Sequence, residues 1–437
     1  MNSEDLDYNS IAVWLATGFF LGDTHFYYKN TFYKSNFSPD IVWHHSPRNI
    51  SFSNVVNEFS DLFESVIKKN TIGKNIILPL SGGLDSRTLA VALRERKNVV
   101  VISYQFKNGI KETKYAREIA MAYGWEFHEF EIPEGYLWSK LSELSDINQC
   151  LTEFTHPRQM AIIDKIIDYG DLILSGQWGD VLFDSPNINP KANLNEQTNY
   201  IIKQIVKPGG IELASELSKY WGISESFEKN LFILIQDLLS DIDINNVKSK
   251  LRAFKSLHWA PRWANENLKV FTKYGDIFIP YYNNEICNFI CTIPEEFLAK
   301  RKIQIEYIKQ KAPELAQIPW QAYDLDLYRY KQFNNIYFPR RIYRYIIRII
   351  KEKFIKIPPV IERNWELQFL GDKNDQNLRR WLFNNPKLHQ IVPSTIIQDF
   401  YQKFKLADPI KYSHPLSMLL TLSVWCTKNL NCKRHEE

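Results

Sequence analysis

The feature that most constrains the fold is a short apolar run followed by a small polar turn and a helical segment. Ile76, Ile77 and Leu78 form the run, small polar residues continue to Ser86, and a helical pattern is established from Thr88. A continuous apolar run bounded by turn residues is typical of a parallel strand that is buried on both faces. The segment therefore predicts a strand that leads directly into a helix.

The same order of elements recurs further along the chain. A strand is predicted at residues 99–102 and a helix at residues 112–123, which Gly124 closes as a C-terminal cap. Two further strands are predicted at residues 127–132 and 172–174. Strands that alternate with helices predict an α/β fold, a doubly wound parallel sheet with right-handed crossovers.

The rest of the chain carries few strand signals. Beyond residue 190, prolines punctuate long helical segments. We therefore expect residues 1–60 to be an irregular, linker-like segment that packs on the α/β unit. Residues 61–190 are predicted to form the α/β core, and residues 191–437 a large part that is entirely helical.

Composition narrows the functional classes. Of the 437 residues, 45% are hydrophobic and 24% are charged, which is typical of a folded globular protein. Lys and Arg number 54 against 50 Asp and Glu, and a net charge of +4 predicts no nucleic-acid partner. The five cysteines form no CxxC pair, which predicts reduced thiols and a cytoplasmic location. The apolar run at residues 11–21 is too short to span a bilayer.

The sharpest motif is Ser81-Gly82-Gly83-Leu84-Asp85-Ser86, where the first strand ends and its helix begins. Glycines let backbone N–H groups approach an anion, the serines add hydroxyl donors, and the helix N-terminus adds positive potential. The sequence contains neither GxxxxGK[ST] nor GxGxxG, which argues against a Walker A loop and a dinucleotide fold. The motif predicts a site for a phosphate chain.

This motif resembles the PP-loop of the ATP pyrophosphatase superfamily. Most of the chain is similar to the synthetase half of asparagine synthetases and their relatives, the β-lactam synthetases and lasso peptide cyclases. The family's second loop, Ser-Gly-x-Gly-(Ala/Gly)-Asp-Glu-Leu-Phe, corresponds to residues 175–183, SGQWGDVLF. The resemblance implies ATP as cofactor and Mg²⁺ held by Asp85 and Asp180, whose oxygens suit a hard cation. The residues implied in ATP binding are Leu80, Ser81, Gly82, Gly83, Asp85, Ser86, Ser103, Tyr104, Ser175 and Gly176.

The resemblance also implies a reaction that joins a carboxylate to an amine. ATP would adenylate the carboxylate of a small molecule, a peptide or a glycan, and ammonia or an amine would then displace AMP. Glutamine-dependent members begin with a glutaminase domain whose nucleophile is an N-terminal cysteine, whereas this sequence begins Met1-Asn2 and its first cysteine is Cys150. We therefore expect free ammonia, a separate glutaminase or an amine donor to supply the nitrogen.

Two candidate catalytic positions depart from the family. Gln177 stands where asparagine synthetases have Glu and β-lactam synthetases Tyr, and its amide cannot take a proton from an attacking amine. The family's catalytic lysine follows shortly after a Leu-Pro or Ile-Pro, but after Ile318-Pro319 the first lysine is Lys331, which would substitute only if the loop folds back. In a segment similar to the family's Pro-Phe-x-Asp, Asn283 or Asn284 replaces the Asp.

These departures leave rival functions open. One is a catalytically degenerate ATP-binding subunit of a biosynthetic complex. Another is a tRNA-modifying PP-loop enzyme, which the absence of a CxxC pair and of a strongly basic composition disfavours.

Residues 340–354 combine cations and isoleucines at helical spacing, which predicts a helix with one basic and one apolar face. The cations are Arg340, Arg341, Arg344, Arg348 and Lys351. A solvated face over the core is the first interpretation, and a helix that contacts a membrane surface or a partner is the alternative.

Overall fold

A parallel sheet of five strands lies at the centre of the computed structural model, which describes residues 3–27, 38–223, 225–339, 342–343 and 360–431. Every neighbouring pair of strands is parallel, and the strand order is β3-β2-β1-β4-β5. The doubly wound α/β fold and the four predicted strands are confirmed. The strands are β1 (Ile76–Pro79), β2 (Val99–Phe106), β3 (Glu126–Ile132), β4 (Leu172–Leu174) and β5 (Asp276–Phe278).

The sheet changes direction at β1. The chain runs outward from β1 to β2 and β3, and then returns to β4 on the other side of β1. Ile76 aligns with Val99 on one side and with Leu172 on the other. Open α/β sheets bind ligands at such a point, beyond the carboxyl ends of the strands. The loops after β1 and β4, which carry the two motifs, therefore leave the same edge of the sheet side by side.

Helices cover both faces of the sheet, as the burial of β1 indicates. Ile76, Ile77 and Leu78 point alternately to opposite faces, and each is at most 1% exposed. The α-helices are α1 (Tyr8–Thr17), α2 (Phe52–Thr71), α3 (Leu84–Ala92), α4 (Thr113–Ala122), α5 (Tyr136–Asn148), α6 (Ile163–Ile166), α7 (Gly179–Leu182), α8 (Leu194–Ile205), α9 (Gly210–Tyr220), α10 (Phe227–Ser240), α11 (Val247–Phe254), α12 (Asn265–Thr272), α13 (Asn284–Cys291), α14 (Glu295–Leu298), α15 (Lys302–Lys311), α16 (Pro313–Gln317), α17 (Asn364–Phe369), α18 (Asp372–Phe383), α19 (Ser394–Gln402) and α20 (Pro409–Asn429).

The prediction that residues 191–437 are entirely helical is wrong at β5. Leu172 to Leu174 of β4 pair with Asp276 to Phe278, so the helical half of the chain supplies an edge strand of the sheet. The strand has only three residues, Asp276 is exposed, and Ile277 and Phe278 are half-buried. Because it contains no continuous apolar run, the signal used for the other strands is missing here. The domain boundaries at residues 60/61 and 190/191 stay a prediction.

The prediction of an irregular N-terminal segment is also wrong, for residues 8–17 in α1 and residues 52–60 in α2. Helix α1 begins after Asp7, whose side chain accepts a hydrogen bond from the Ser10 N–H, and it ends at Gly18 with a φ of 85°. Trp14 donates its indole N–H to Leu151 O at 2.9 Å, which joins α1 to the α/β unit as expected. Ala16 O accepts a hydrogen bond from the Lys207 N–H at 3.0 Å, so α1 also packs on the helical part.

Two predictions concern membranes. In the described ranges, no helix combines the length and the apolar character needed to cross a bilayer. Apart from Ile342 and Tyr343, residues 340–354 lie outside the described residues, so the amphipathic helix stays a prediction.

Candidate functional site

The two serines of the loop after β1 hold that loop in shape. The Ser86 hydroxyl accepts a hydrogen bond from the Ser81 N–H at 3.1 Å, and the Ser81 hydroxyl accepts one from the Gly83 N–H at 3.2 Å. Gly83 is the N-cap residue of α3 and brings no side chain to cap it. The first N–H groups of α3 can therefore bind an anion.

The loops after β1 and β4 open onto one cavity of about 350 Å³, here called the nucleotide cavity. Nine of the ten residues implied in ATP binding line it, and so do Gln177 and Asp180. The nine are Leu80, Ser81, Gly83, Asp85, Ser86, Ser103, Tyr104, Ser175 and Gly176. Sequence reasoning assigned no site role to the other lining residues, which are Pro79, Glu112, Arg158, Gln159, Trp178, Leu268 and Phe271.

Gly82, the tenth residue, lies behind the loop and does not line the cavity. A Cβ at this position would lie 2.7 Å from Gln321 Cβ and 2.7 Å from Tyr115 Cδ2. Gln321 also donates its backbone N–H to Gly82 O at 3.2 Å. The glycine thus lets residues 319–323 pack directly beneath the phosphate loop.

The second loop approaches the first through another glycine. A Cβ on Gly179 would lie 2.2 Å from Asp85 Oδ1, so a side chain here would require the Asp85 carboxyl group to shift. The neighbouring Trp178 stands at a position where the family motif has Gly, and its φ is 74°, in the left-handed region. Its ring is buried against Tyr282, with the centroids 5.8 Å apart, and this packing offsets the cost of the backbone conformation.

Asp85 and Asp180 both line the nucleotide cavity. The pKa of Asp85 is raised to about 6, mainly by burial and also by the nearby Asp180 carboxylate, while the Arg301 guanidinium opposes both effects. Two neighbouring carboxylates repel each other, and a divalent cation relieves this repulsion. The donor set therefore fits Mg²⁺. Among the described residues, no cluster of three or more acidic, His or Cys side chains is suited to a metal.

Arg301 is a site residue that sequence reasoning missed. Its guanidinium donates to Asp85 Oδ1, and Gln304 donates to the same oxygen at 3.1 Å. Lys300 and Arg301 both have a φ of 61°, and the Lys300 N–H donates to Asp184 Oδ1 at 2.8 Å. Arg301 lies 216 positions from Asp85 and belongs to no family motif used above, so no local pattern could have indicated it.

Arg87 joins the phosphate loop to the residues in and after α16. Its side chain is fully buried. It donates to Leu315 O at 3.2 Å, to Ile318 O at 2.7 Å and to Pro319 O at 2.8 Å. This contact fixes where the segment after Ile318-Pro319 leaves the core.

The two candidate catalytic residues are not brought together. Gln177 lines the nucleotide cavity, whereas Lys331 lies on an exposed 3₁₀ turn, Tyr330–Gln332, and does not line it. The turn is packed through Tyr330, whose ring centroid lies 5.6 Å from that of Trp320. The loop therefore does not fold back over the nucleotide cavity, and a catalytic role of Lys331 stays a prediction.

The segment similar to Pro-Phe-x-Asp supports the site from behind. The Tyr281 hydroxyl donates to Asp85 O at 3.0 Å. Asn283 is the N-cap of α13 and accepts a hydrogen bond from the Glu285 N–H at 2.8 Å, while Asn284 Oδ1 accepts one from the Asp40 N–H at 2.9 Å. Whichever of the two asparagines replaces the family's Asp therefore has a structural partner.

Comparison with known families adds to this geometry. Residues 61–265 match the family model described as asparagine synthase. These residues are an asparagine synthase domain. The asparagine synthase domain contains β1 to β4, both loops and the start of α12, and it confirms the resemblance seen in the motifs. Its family consists of ATP-using amide ligases of the PP-loop superfamily. No curated protein matches the chain significantly.

Proposed function

We propose that the chain is an AMP-forming amide ligase, which adenylates a carboxylate with ATP and transfers the acyl group to ammonia or an amine. The observation that carries the proposal is the meeting of both family loops around the nucleotide cavity, with Asp85 and Asp180 on its wall. The match of residues 61–265 to asparagine synthase supports the same reaction class.

Phosphate binding is assigned to the loop after β1. The N-terminal N–H groups of α3 and the hydroxyls of Ser81 and Ser86 would stabilise the negative charge that develops on the departing pyrophosphate. The Ser103 hydroxyl already donates to Leu80 O at 2.9 Å, so Ser103 would contact the adenine through its backbone. The half-buried Tyr104 would contribute its ring.

Asp85 and Asp180 would hold Mg²⁺, which supplies charge neutralisation at the triphosphate when it is bound. Asp85 Oδ1 is held by Arg301 and Gln304, and this bonding orients the carboxyl group. Asp85 Oδ2 has no hydrogen bond to any described residue, so this oxygen is the one offered to the cation. Arg301 would stay behind the carboxylate and favour its ionised form.

The nitrogen step has no base at position 177. Gln177 can orient an amine through its amide but cannot accept its proton, which we expect to make acyl transfer slower than adenylation. The nitrogen source would be free ammonia, a separate glutaminase or an amine donor. The same glutamine, together with the position of Lys331 outside the nucleotide cavity, favours a non-catalytic ATP-binding subunit as the second candidate.

Exchange of labelled pyrophosphate into ATP tests the proposal. Run with a panel of carboxylates and Mg²⁺, exchange that depends on one carboxylate supports the ligase. Asp180→Asn serves as the matched variant, since it keeps the shape of the side chain and removes the charge, and it should lower exchange strongly. Exchange at background in the wild type, with Mg²⁺-ATP binding established by calorimetry, would support the non-catalytic subunit instead.

A further inference from the structure

A second cavity of about 290 Å³ adjoins the nucleotide cavity and is here called the side cavity. The two cavities share the wall formed by Tyr104, Arg158, Gln159, Gln177 and Leu268. Gln177 therefore lies beside both cavities, and a small amine in the side cavity would be next to the position that lacks a base. Another residue of this wall can take the proton of the amine only if it offers a free lone pair.

His156 lies on the wall of the side cavity but not on that of the nucleotide cavity. The residue is exposed, yet its pKa is lowered to about 4, mainly by burial. Protein therefore encloses an accessible ring, which is the situation of a side chain that faces a cavity. The ring packs against Trp263, with the centroids 4.3 Å apart. Neither ring nitrogen hydrogen-bonds to a described residue, so one lone pair is available.

The charges around His156 suit the transient binding of a proton. Burial, Arg158 and Lys207 lower the pKa of His156, and Glu153 raises it, so the imidazole is neutral at pH 7. Burial of Glu153 favours its protonated form, but His414 and hydrogen bonds from two hydroxyl groups outweigh burial and lower the pKa of this carboxyl group. The ionised Glu153 carboxylate therefore stabilises the imidazolium that forms when His156 takes a proton.

We propose that His156 accepts the proton of the amine that attacks the acyl-adenylate, and so supplies the base that position 177 lacks. The nitrogen of the neutral amine forms a bond to the acyl carbon, and the bond from this carbon to the AMP oxygen breaks, with its electron pair leaving on AMP. The surplus proton of the nitrogen passes to the imidazole and then to water. This inference rests on the proposed function, because it assigns a residue to its second step. Since its pKa is lowered, His156 is a weak base, and acyl transfer stays slower than adenylation.

The other ionisable groups on the wall of the side cavity are less suited to this task. Glu153 already accepts a hydrogen bond from the Thr155 hydroxyl at 2.8 Å. Glu362 also interacts with another residue, and it is the rival that the experiment must separate from the imidazole. The guanidinium groups of Arg158 and Arg363 stay protonated and take up no further proton.

Separate measurement of the two half-reactions tests the base. Adenylation is followed by pyrophosphate exchange with the carboxylate that the panel selects, and acyl transfer by the single-turnover rate of amide formation with ammonia. Ammonia is the probe because the smallest amine can enter any cavity that admits a larger one. His156→Gln should leave exchange unchanged and slow amide formation about 100-fold or more, since general-base catalysis contributes about 10²–10⁴-fold.

His128→Gln is the matched control. The ring of His128 also stacks on an aromatic side chain, Tyr169, with the centroids 4.1 Å apart, and its Nε2 lies 2.7 Å from Glu126 Oε1, but it lines neither cavity. This variant should change neither half-reaction. Imidazole added to His156→Ala should restore part of amide formation, because a free base can then enter the space of the missing ring.

Two carboxyl variants separate the base from its neighbours. Glu153→Gln should slow amide formation in the wild type but have no further effect in His156→Gln, because Glu153 is a positioning residue that acts through the imidazole. A purely structural role would give additive effects in the double variant. Glu362→Gln should leave amide formation unchanged.

Several results would overturn the inference. They are amide formation that His156→Gln leaves unchanged, an equal loss of exchange and amide formation in this variant, the same loss in His128→Gln, or a loss in Glu362→Gln alone. A wild-type rate equal to that of the acyl-adenylate with ammonia in solution would also exclude a base. Exchange that is present while amide formation is unaffected by His156→Gln rejects the base and keeps the ligase. Exchange that is absent with every carboxylate rejects the ligase and its base together.

Discussion

Replacing Asp85 with Asn should stabilise the folded protein at neutral pH while abolishing its Mg²⁺-dependent binding of ATP. The pKa of Asp85 is raised to about 6 from 3.8, mainly by burial, so the folded state binds the proton more tightly than the unfolded state does. Stability is therefore lost as the pH rises from about 4 to about 6, and the ionised carboxylate costs up to about 3 kcal/mol at pH 7.5. At pH 4.5, where the folded carboxyl is largely protonated, the cost is about 1 kcal/mol.

The assay is denaturant unfolding of wild type and Asp85→Asn at pH 4.5 and pH 7.5, without Mg²⁺ or nucleotide. The stability of the variant relative to the wild type should rise by about 2 kcal/mol between the two pH values. Asp276→Asn is the control for an exposed carboxylate, whose side chain is 71% exposed. Adding Mg²⁺-ATP at pH 7.5 should reverse the order, because only the wild type offers an anionic ligand to the cation. A relative stability that is the same at both pH values would refute the argument from burial.

Four further changes test the site and the chain around it. Gly179→Leu should abolish Mg²⁺-ATP binding in calorimetry, since its Cβ would lie 2.2 Å from Asp85 Oδ1 and its bulk leaves less room for adjustment than the Ala that the family motif admits here; retained affinity would contradict this. The affinity for Mg²⁺-ATP should fall as the pH is lowered, and in Arg301→Met the midpoint of this fall should lie at a higher pH, because the cation that opposes protonation of Asp85 is removed. An unchanged midpoint would exclude a role of Arg301 in keeping Asp85 ionised. Arg87→Met leaves three buried carbonyl oxygens without their hydrogen-bond donor. Denaturant unfolding should therefore show a free energy of unfolding that is lower by several kcal/mol. A loss below about 1 kcal/mol would mean that water replaces the guanidinium. If residues 340–354 contact membranes, each of the five cations contributes about 1 kcal/mol to the free energy of binding to an anionic surface. Flotation should then show salt-sensitive binding to anionic liposomes. No binding at low salt would leave the core-facing helix as the interpretation.

Local patterns predicted the parts of this fold that are encoded locally. The run Ile76 to Leu78 identified β1, and the glycines and serines after it identified the loop that faces the nucleotide cavity. The meeting of this loop with the second one followed from a general rule, because the carboxyl ends of parallel strands share one edge of a sheet. Nine of the ten residues implied in ATP binding line one cavity for that reason.

The elements that sequence reasoning missed depend on contacts between distant segments. Strand β5 has three residues and is recognisable only through its pairing with β4. Helix α1 is buried from Ser10 to Thr17 because distant segments of the chain enclose it, as the hydrogen bond between His414 Nε2 and Leu15 O at 2.9 Å illustrates. Gly82 was assigned to the ATP, but its lack of a side chain serves the packing of Gln321, which only the structure reveals.

The positive charges near the site give one argument for choosing between the two candidate functions. A ligase must stabilise charge on the carboxylate and the phosphates during adenylation, and in this family a lysine supplies part of it. Lys331 lies outside the nucleotide cavity, whereas Arg158 lines this cavity and Arg301 contacts Asp85 from behind. The guanidinium of Arg158 lies over two aromatic rings and forms no ion pair with a described residue, so it is available for this charge and favours the enzyme over the binding subunit.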